Sequence, residues 1–176
     1  MWIQISTLKE TNLKNRNTRL YLDVDGVFLR RTGQFGFHGR EEFIVANHAT
    51  EILEWCRDNF DCQWLTGRSH NGSTDGIERA FRFSSGNSKE IQNLIRSIDA
   101  AAWDIAKISA IDFSKSFLYV DDNPGEITRQ SLVDLKLEHC WIKCCTDDVE
   151  DDLLRIRSIL EGELAFAGAQ NSVEGR

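Results

Sequence analysis

Asp23 and Asp25 stand two residues apart behind the apolar pair Tyr21-Leu22, and Gly26 follows them directly. In an extended strand alternate residues share a face, so both carboxylates project into one crevice at the strand's carboxyl end. Gly26 lets the backbone turn away without a side-chain clash. Two acids held that close repel each other unless a cation or a shared proton intervenes. The pattern calls for a metal ion, and later segments supply candidates for its other ligands. Thr66-Gly67-Arg68 and Asp121-Asp122 each close an apolar run of their own, and Lys107 lies fourteen residues before Asp121.

The elements that must position these residues follow from hydrophobic periodicity. Leu20 to Asp23 is the first expected strand. Phe28 to Phe43, rich in glycine and aromatic residues, suits a hairpin or flap. Ala49, Ile52, Leu53, Cys56 and Phe60 recur at helical spacing, and Cys62 to Leu65 reads as a second buried strand. From Ser69 to Gly86 the turn pairs Asn71-Gly72, Asp75-Gly76 and Ser85-Gly86 argue for no regular element. Ile91, Leu94, Ile95 and Ile98 form one face of a helix with Ser88 as its N-cap. A short strand over 101–105 and a helical turn over 107–111 lead to the apolar strand Phe117 to Val120. Cys140 to Lys143 is expected to be the last central strand. Asp147 and Glu150 can form a capping box for a final helix carrying Val149, Leu153, Ile156, Leu160 and Leu164. Strands alternating with helices predict an α/β fold with a mainly parallel sheet, in which ligands bind at the carboxyl ends of the strands. One domain over 1–176 is expected, with its core at about 18–167, a polar arm over 1–17 and a loose tail over 168–176.

Composition narrows the class. The chain is 41% hydrophobic and 28% charged, which fits a globular protein and excludes a disordered one. No apolar run approaches the roughly 18–20 residues that cross a bilayer. The first residues lack the layout of a secretion signal, so cytoplasmic residence is the expectation. Cys56, Cys62, Cys140, Cys144 and Cys145 have no framework-like spacing, which favours reduced thiols. The net charge of −7 argues against wholesale coating of nucleic acid. Yet the stretch from Lys14 to Arg40 holds six basic residues and, besides Asp23 and Asp25, no acid. A basic rim around an acidic centre would steer an anionic substrate, although ordinary surface charge looks the same in a sequence.

The order Asp23-Val24-Asp25-Gly26, Thr66, Lys107 and Asp121-Asp122 resembles the four motifs of the haloacid dehalogenase-like (HAD) superfamily, over roughly Leu20 to Thr146. The resemblance implies a Rossmann-like three-layer sandwich with a mainly parallel central sheet, and a flap after the first strand. About forty residues separate Asp25 from Thr66, enough for a flap but not for a large cap. Its small-cap phosphatases are the most similar type, some of them linked to RNA repair. By this resemblance Asp23 is the nucleophile of a phosphomonoester hydrolase and forms an aspartyl-phosphate. Asp25 protonates the leaving oxygen and later activates water. It must carry a proton for the first task, and crowding by other acids would favour one. Magnesium is held by Asp23, the backbone carbonyl of Asp25, Asp121 and Asp122. Thr66, Gly67 and Lys107 bind the phosphoryl group, with Arg68, His38, Arg40 and His70 as further candidates for substrate contact.

Lys115 competes with Lys107 for the phosphate-binding role, but it lies too near the strand to curl back easily. The expected partner is a phosphorylated small molecule or, alternatively, a nucleic-acid end; no protein partner is evident. A catalytically idle fold used for binding is the alternative from another class.

Overall fold

The computed structural model describes residues 18–35 and 41–173. The expected arm over 1–17, the flap tip with His38 and Arg40, and residues 174–176 lie outside the described residues. Five short strands build a parallel sheet in the order β5-β4-β1-β6-β7: β1 (Arg19–Leu22), β4 (Asp61–Trp64), β5 (Asp99–Ala100), β6 (Phe117–Asp121) and β7 (Trp141–Lys143). Leu22 stands beside Trp64 on one side and Val120 on the other, so the three site-bearing strands end level with one another.

Alternation along the strands sends side chains into two cores. Leu20, Leu22, Trp64, Leu118, Val120 and Ile142 face α1 (Ala49–Asn59), α2 (Asp75–Arg82), α3 (Lys89–Arg96) and α5 (Asp152–Val173). Tyr21, Leu65, Phe117 and Tyr119 face the opposite layer, made by α4 (Glu126–Asp134) and short 3₁₀ turns at 107–110 and 138–140. The architecture is therefore α/β, a five-stranded parallel sheet flanked by helices, compatible with a Rossmann-like sandwich. Truncating a fully buried residue such as Leu22 to alanine would cost about 2–5 kcal/mol.

Between β1 and α1 the chain forms an antiparallel hairpin, β2 (Leu29–Phe35) and β3 (Glu41–Val45), as the glycine-rich composition suggested for a flap. Arg31 at its base reaches Asp147, which accepts from both the Arg31 backbone N–H at 2.7 Å and its guanidinium at 2.5 Å.

Five expectations need correction. The stretch from Ser69 to Gly86 contains α2, whose Ile77 and Phe81 are fully buried. Gly76, which reads as a turn residue, is there because a Cβ would come within 2.2 Å of the Arg68 carbonyl oxygen. The capping box fails: Asp147 is engaged by Arg31 and Glu150 by Arg30 at 3.3 Å, and the helix begins at Asp152. That helix runs through Gly168 to Val173, where a loose tail was expected. β7 is an edge strand, and β5 occupies 99–100 instead of 101–105.

Candidate functional site

β1 lies between β4 and β6, so the chain leaves it in one direction first and returns to its other side later. Such a reversal opens a crevice at the carboxyl ends of the strands, where ligands bind in open parallel sheets. Asp23 follows β1 directly, Thr66 lies just beyond β4, and Asp121 is the last residue of β6.

Gly26 shapes the first wall. Its φ is 72°, and a Cβ there would stand 2.4 Å from Oδ2 of Asp122. Only glycine both adopts this turn and leaves room for that carboxylate. The Val24 carbonyl accepts from the N–H groups of Phe28 and Leu29, each at 2.9 Å, which closes the turn. The Gly26 carbonyl accepts from the backbone N–H and the hydroxyl of Thr146, tying the turn to the loop after β7.

Lys107 fills the middle. Its Nζ lies 3.0 Å from Oδ2 of Asp23 and 2.7 Å from Oδ2 of Asp121. Asp23 is 4% exposed, and its other oxygen, Oδ1, is buried without a hydrogen-bond partner. Burial pushes the Asp23 carboxyl up to about 6, helped by the charge of Asp121; Lys107, the Thr66 hydroxyl and the Val24 N–H only partly offset this. Asp121 is raised as well, chiefly by burial, and Asp122 by burial and the charge of Asp23. Burial also acts on Lys107 in the direction of neutrality, but Asp23 and Asp121 outweigh it and hold the ammonium charged.

The structure brings Asp23, Asp121 and Asp122 together, with one oxygen from each within 4.8 Å of the others. The carboxylate of Asp25 does not join them. It faces Arg68, whose Nε donates to both oxygens at 2.9 Å and whose Nη2 donates to Oδ1 at 2.6 Å. The crowd of acids expected around Asp25 surrounds Asp23 instead, because the turn at Gly26 carries Asp25 towards the loop after β4.

Thr66 is fully buried, and its hydroxyl accepts from the Arg68 N–H at 3.4 Å at the start of a 3₁₀ turn. A Cβ on Gly67 would meet open space. Arg68 also stacks on Phe43 of β3, 4.9 Å from the ring centre. His70 is exposed and packs edge-on against Trp103. Lys115 lies away from the crevice, 3.8 Å from Asp112.

Several contributors were not anticipated. Tyr119 donates its hydroxyl to Oδ2 of Asp121. The strand period of two places it on the same face as Asp121, which is the signal that could have found it. Arg31 stands 3.8 Å from Asp122, a pairing no local pattern announces. The indole N–H of Trp103 donates to the Thr66 carbonyl at 3.0 Å, and that of Trp141 to the Asp121 carbonyl at 3.1 Å. A cleft of about 280 Å³ adjoins Lys107 and is walled by Trp103, Ile105, Pro124 and Ile127.

The assembled chemistry is a set of hard oxygen donors on two buried acids and one half-buried acid, with one oxygen unpartnered, beside a fixed ammonium and a buried hydroxyl. Such a set can hold a divalent cation together with an anionic ligand. No helix among the described residues is long and apolar enough to cross a membrane. No family model, curated protein or solved structure matches the chain.

Proposed function

We propose that the protein is a phosphomonoester hydrolase of the HAD type, dependent on magnesium, with Asp23 as the nucleophile. The observation that carries this reading is the unpartnered, buried Oδ1 of Asp23, set against Lys107 and two further acids. Leaving a buried carboxylate oxygen without a partner is costly, and a cation or an electrophilic phosphorus would supply one.

The donor set fits magnesium, which prefers hard oxygens and keeps several waters. Asp23, Asp121, Asp122 and the backbone carbonyl of Asp25 would hold it. When bound, the ion offsets negative charge on the acids and on the phosphoryl oxygens. Lys107 supplies fixed positive charge to the phosphoryl group, and the Thr66 hydroxyl donates to one of its oxygens. Asp23 attacks phosphorus as the ester oxygen leaves, and Asp25 donates a proton to that oxygen. A carboxylate is a weak nucleophile, so orientation and charge neutralisation supply most of the acceleration.

Among the described residues, the three arginines of the basic segment that favoured nucleic-acid ends are engaged in internal pairs. Arg19 meets Asp61 at 2.7 Å, Arg30 meets Glu150, and Arg31 meets Asp147. The site therefore suits a small phosphorylated molecule better than a polyanion.

The test is hydrolysis of p-nitrophenyl phosphate with magnesium, with a chelator, and with Asp23→Asn. Magnesium-dependent turnover abolished by the substitution is expected. Turnover that survives Asp23→Asn overturns the mechanism. Binding of magnesium and phosphate mimics without turnover on any phosphomonoester in a broad panel would replace it with a binding role.

A further inference from the structure

Asp25 and Arg68 form a close pair whose consequence goes beyond the assignment of the two acids. Arg68 makes three short contacts to one carboxylate, and the two side chains are each 25% exposed. The arginine is itself held from several directions. Its guanidinium lies over the Phe43 ring, its backbone N–H donates to Thr66, and its carbonyl oxygen is pressed against Gly76 of α2. A planar guanidinium fixed in this way orients a carboxylate as a flexible ammonium does not.

We propose that Arg68 is the positioning residue that holds Asp25 as the base of the dephosphorylation step, and that Phe43 of the flap keeps Arg68 in place. The proposal rests on the phosphatase reading given above. In that step the oxygen of a water forms a bond to the phosphorus carried by Asp23. The bond between phosphorus and the Asp23 oxygen breaks, Asp23 departs as a carboxylate, and the water's proton passes to Asp25. Phosphate leaves, and Asp25 gives up its proton to solvent or to the next leaving oxygen. Arg68 touches neither phosphorus nor water and acts through the orientation of Asp25.

This role separates from direct binding of substrate phosphate by its kinetic signature. With p-nitrophenyl phosphate the leaving group needs no proton, so formation of the aspartyl-phosphate does not call on Asp25. Loss of Arg68 then slows only the second half-reaction. Arg68→Met is expected to lower kcat about 100-fold, the scale on which misplacing a reacting group acts. KM falls by the same factor, so kcat/KM is preserved. A burst of p-nitrophenolate equal to the enzyme concentration appears, and acid-quenched protein carries phosphate on Asp23. Phe43→Leu keeps the ion pair but removes the ring face, and lowers kcat in the same pattern by about threefold to tenfold.

A raised KM with reduced kcat/KM and no burst in Arg68→Met would make Arg68 a phosphate ligand and overturn the proposal, while the phosphatase reading stands. A wild-type protein that hydrolyses no phosphomonoester removes both. Should Arg68→Met fail to fold, the Phe43→Leu burst decides in its place.

Discussion

The two ends of β1 hold charge in opposite ways. At the amino end Arg19 meets Asp61 and the Gln63 side chain, one cation against one anion, with Asp61 43% exposed to water. Beyond the carboxyl end Asp23, Asp25, Asp121 and Asp122 face Lys107, Arg68 and Arg31, an excess of acid, with a buried oxygen left unpartnered. The first end is balanced and wet; the second is unbalanced and largely dry. Stability alone would select the first arrangement at both ends. The imbalance is one that a positive or electrophilic ligand would relieve.

Removing the central cation should widen the contrast most. Lys107→Met leaves Asp23 and Asp121 without their shared partner, and a loss of about 3–5 kcal/mol is expected in urea denaturation of the metal-free protein at pH 7. A loss below about 1 kcal/mol would show that the acids already share protons and need no lysine.

Neutralising Asp23 should narrow the contrast. The Asp23 carboxyl stands at about 6 in the folded protein against an ordinary value of 3.8. The folded state therefore binds the proton more tightly, so the contribution of this group is present below about pH 4 and is lost as pH rises through about 6. A shift of about two pKa units corresponds to about 3 kcal/mol. Asp23→Asn should thus be more stable than wild type at pH 7 by an amount of that order, with the difference vanishing towards pH 4. Equal stabilities across this range would mean that the acids at this end are not in conflict.

Magnesium should relieve the same conflict. At a hundredfold excess over its dissociation constant it adds about 2.7 kcal/mol to the wild type, read as a rise in Tm, and little to Asp121→Asn. The smallest effect belongs to the balanced end. Arg19→Met removes a partly solvated pair and should cost about 1 kcal/mol or less.

What the sequence disclosed follows the same division between local and long-range causes. β1, β4 and β6 are marked by apolar runs, and α3 by Ser88, whose hydroxyl accepts from the Ile91 N–H at 3.2 Å. The strand-end acids and Thr66 were legible because each closes a recognisable element, and Lys107 because it opens a helical turn fourteen residues before Asp121. α2 was hidden because Gly76 answers to the Arg68 carbonyl, a packing demand that no neighbouring residue signals. The start of α5 was misplaced because Asp147 serves Arg31, 116 positions away. The partner of Asp25 was missed for the same kind of reason, since Arg68 reaches it across 43 positions.

Two indole rings give this site a voice of its own. Trp103 and Trp141 are bonded to the carbonyl oxygens of Thr66 and Asp121, the backbone atoms that carry the hydroxyl and the carboxylate at the crevice. Indole emission depends on the field along its N–H bond. Any ligand that draws those strand ends together alters the colour of the protein's own fluorescence. Occupancy can thus be followed by light, with no label attached and no turnover required.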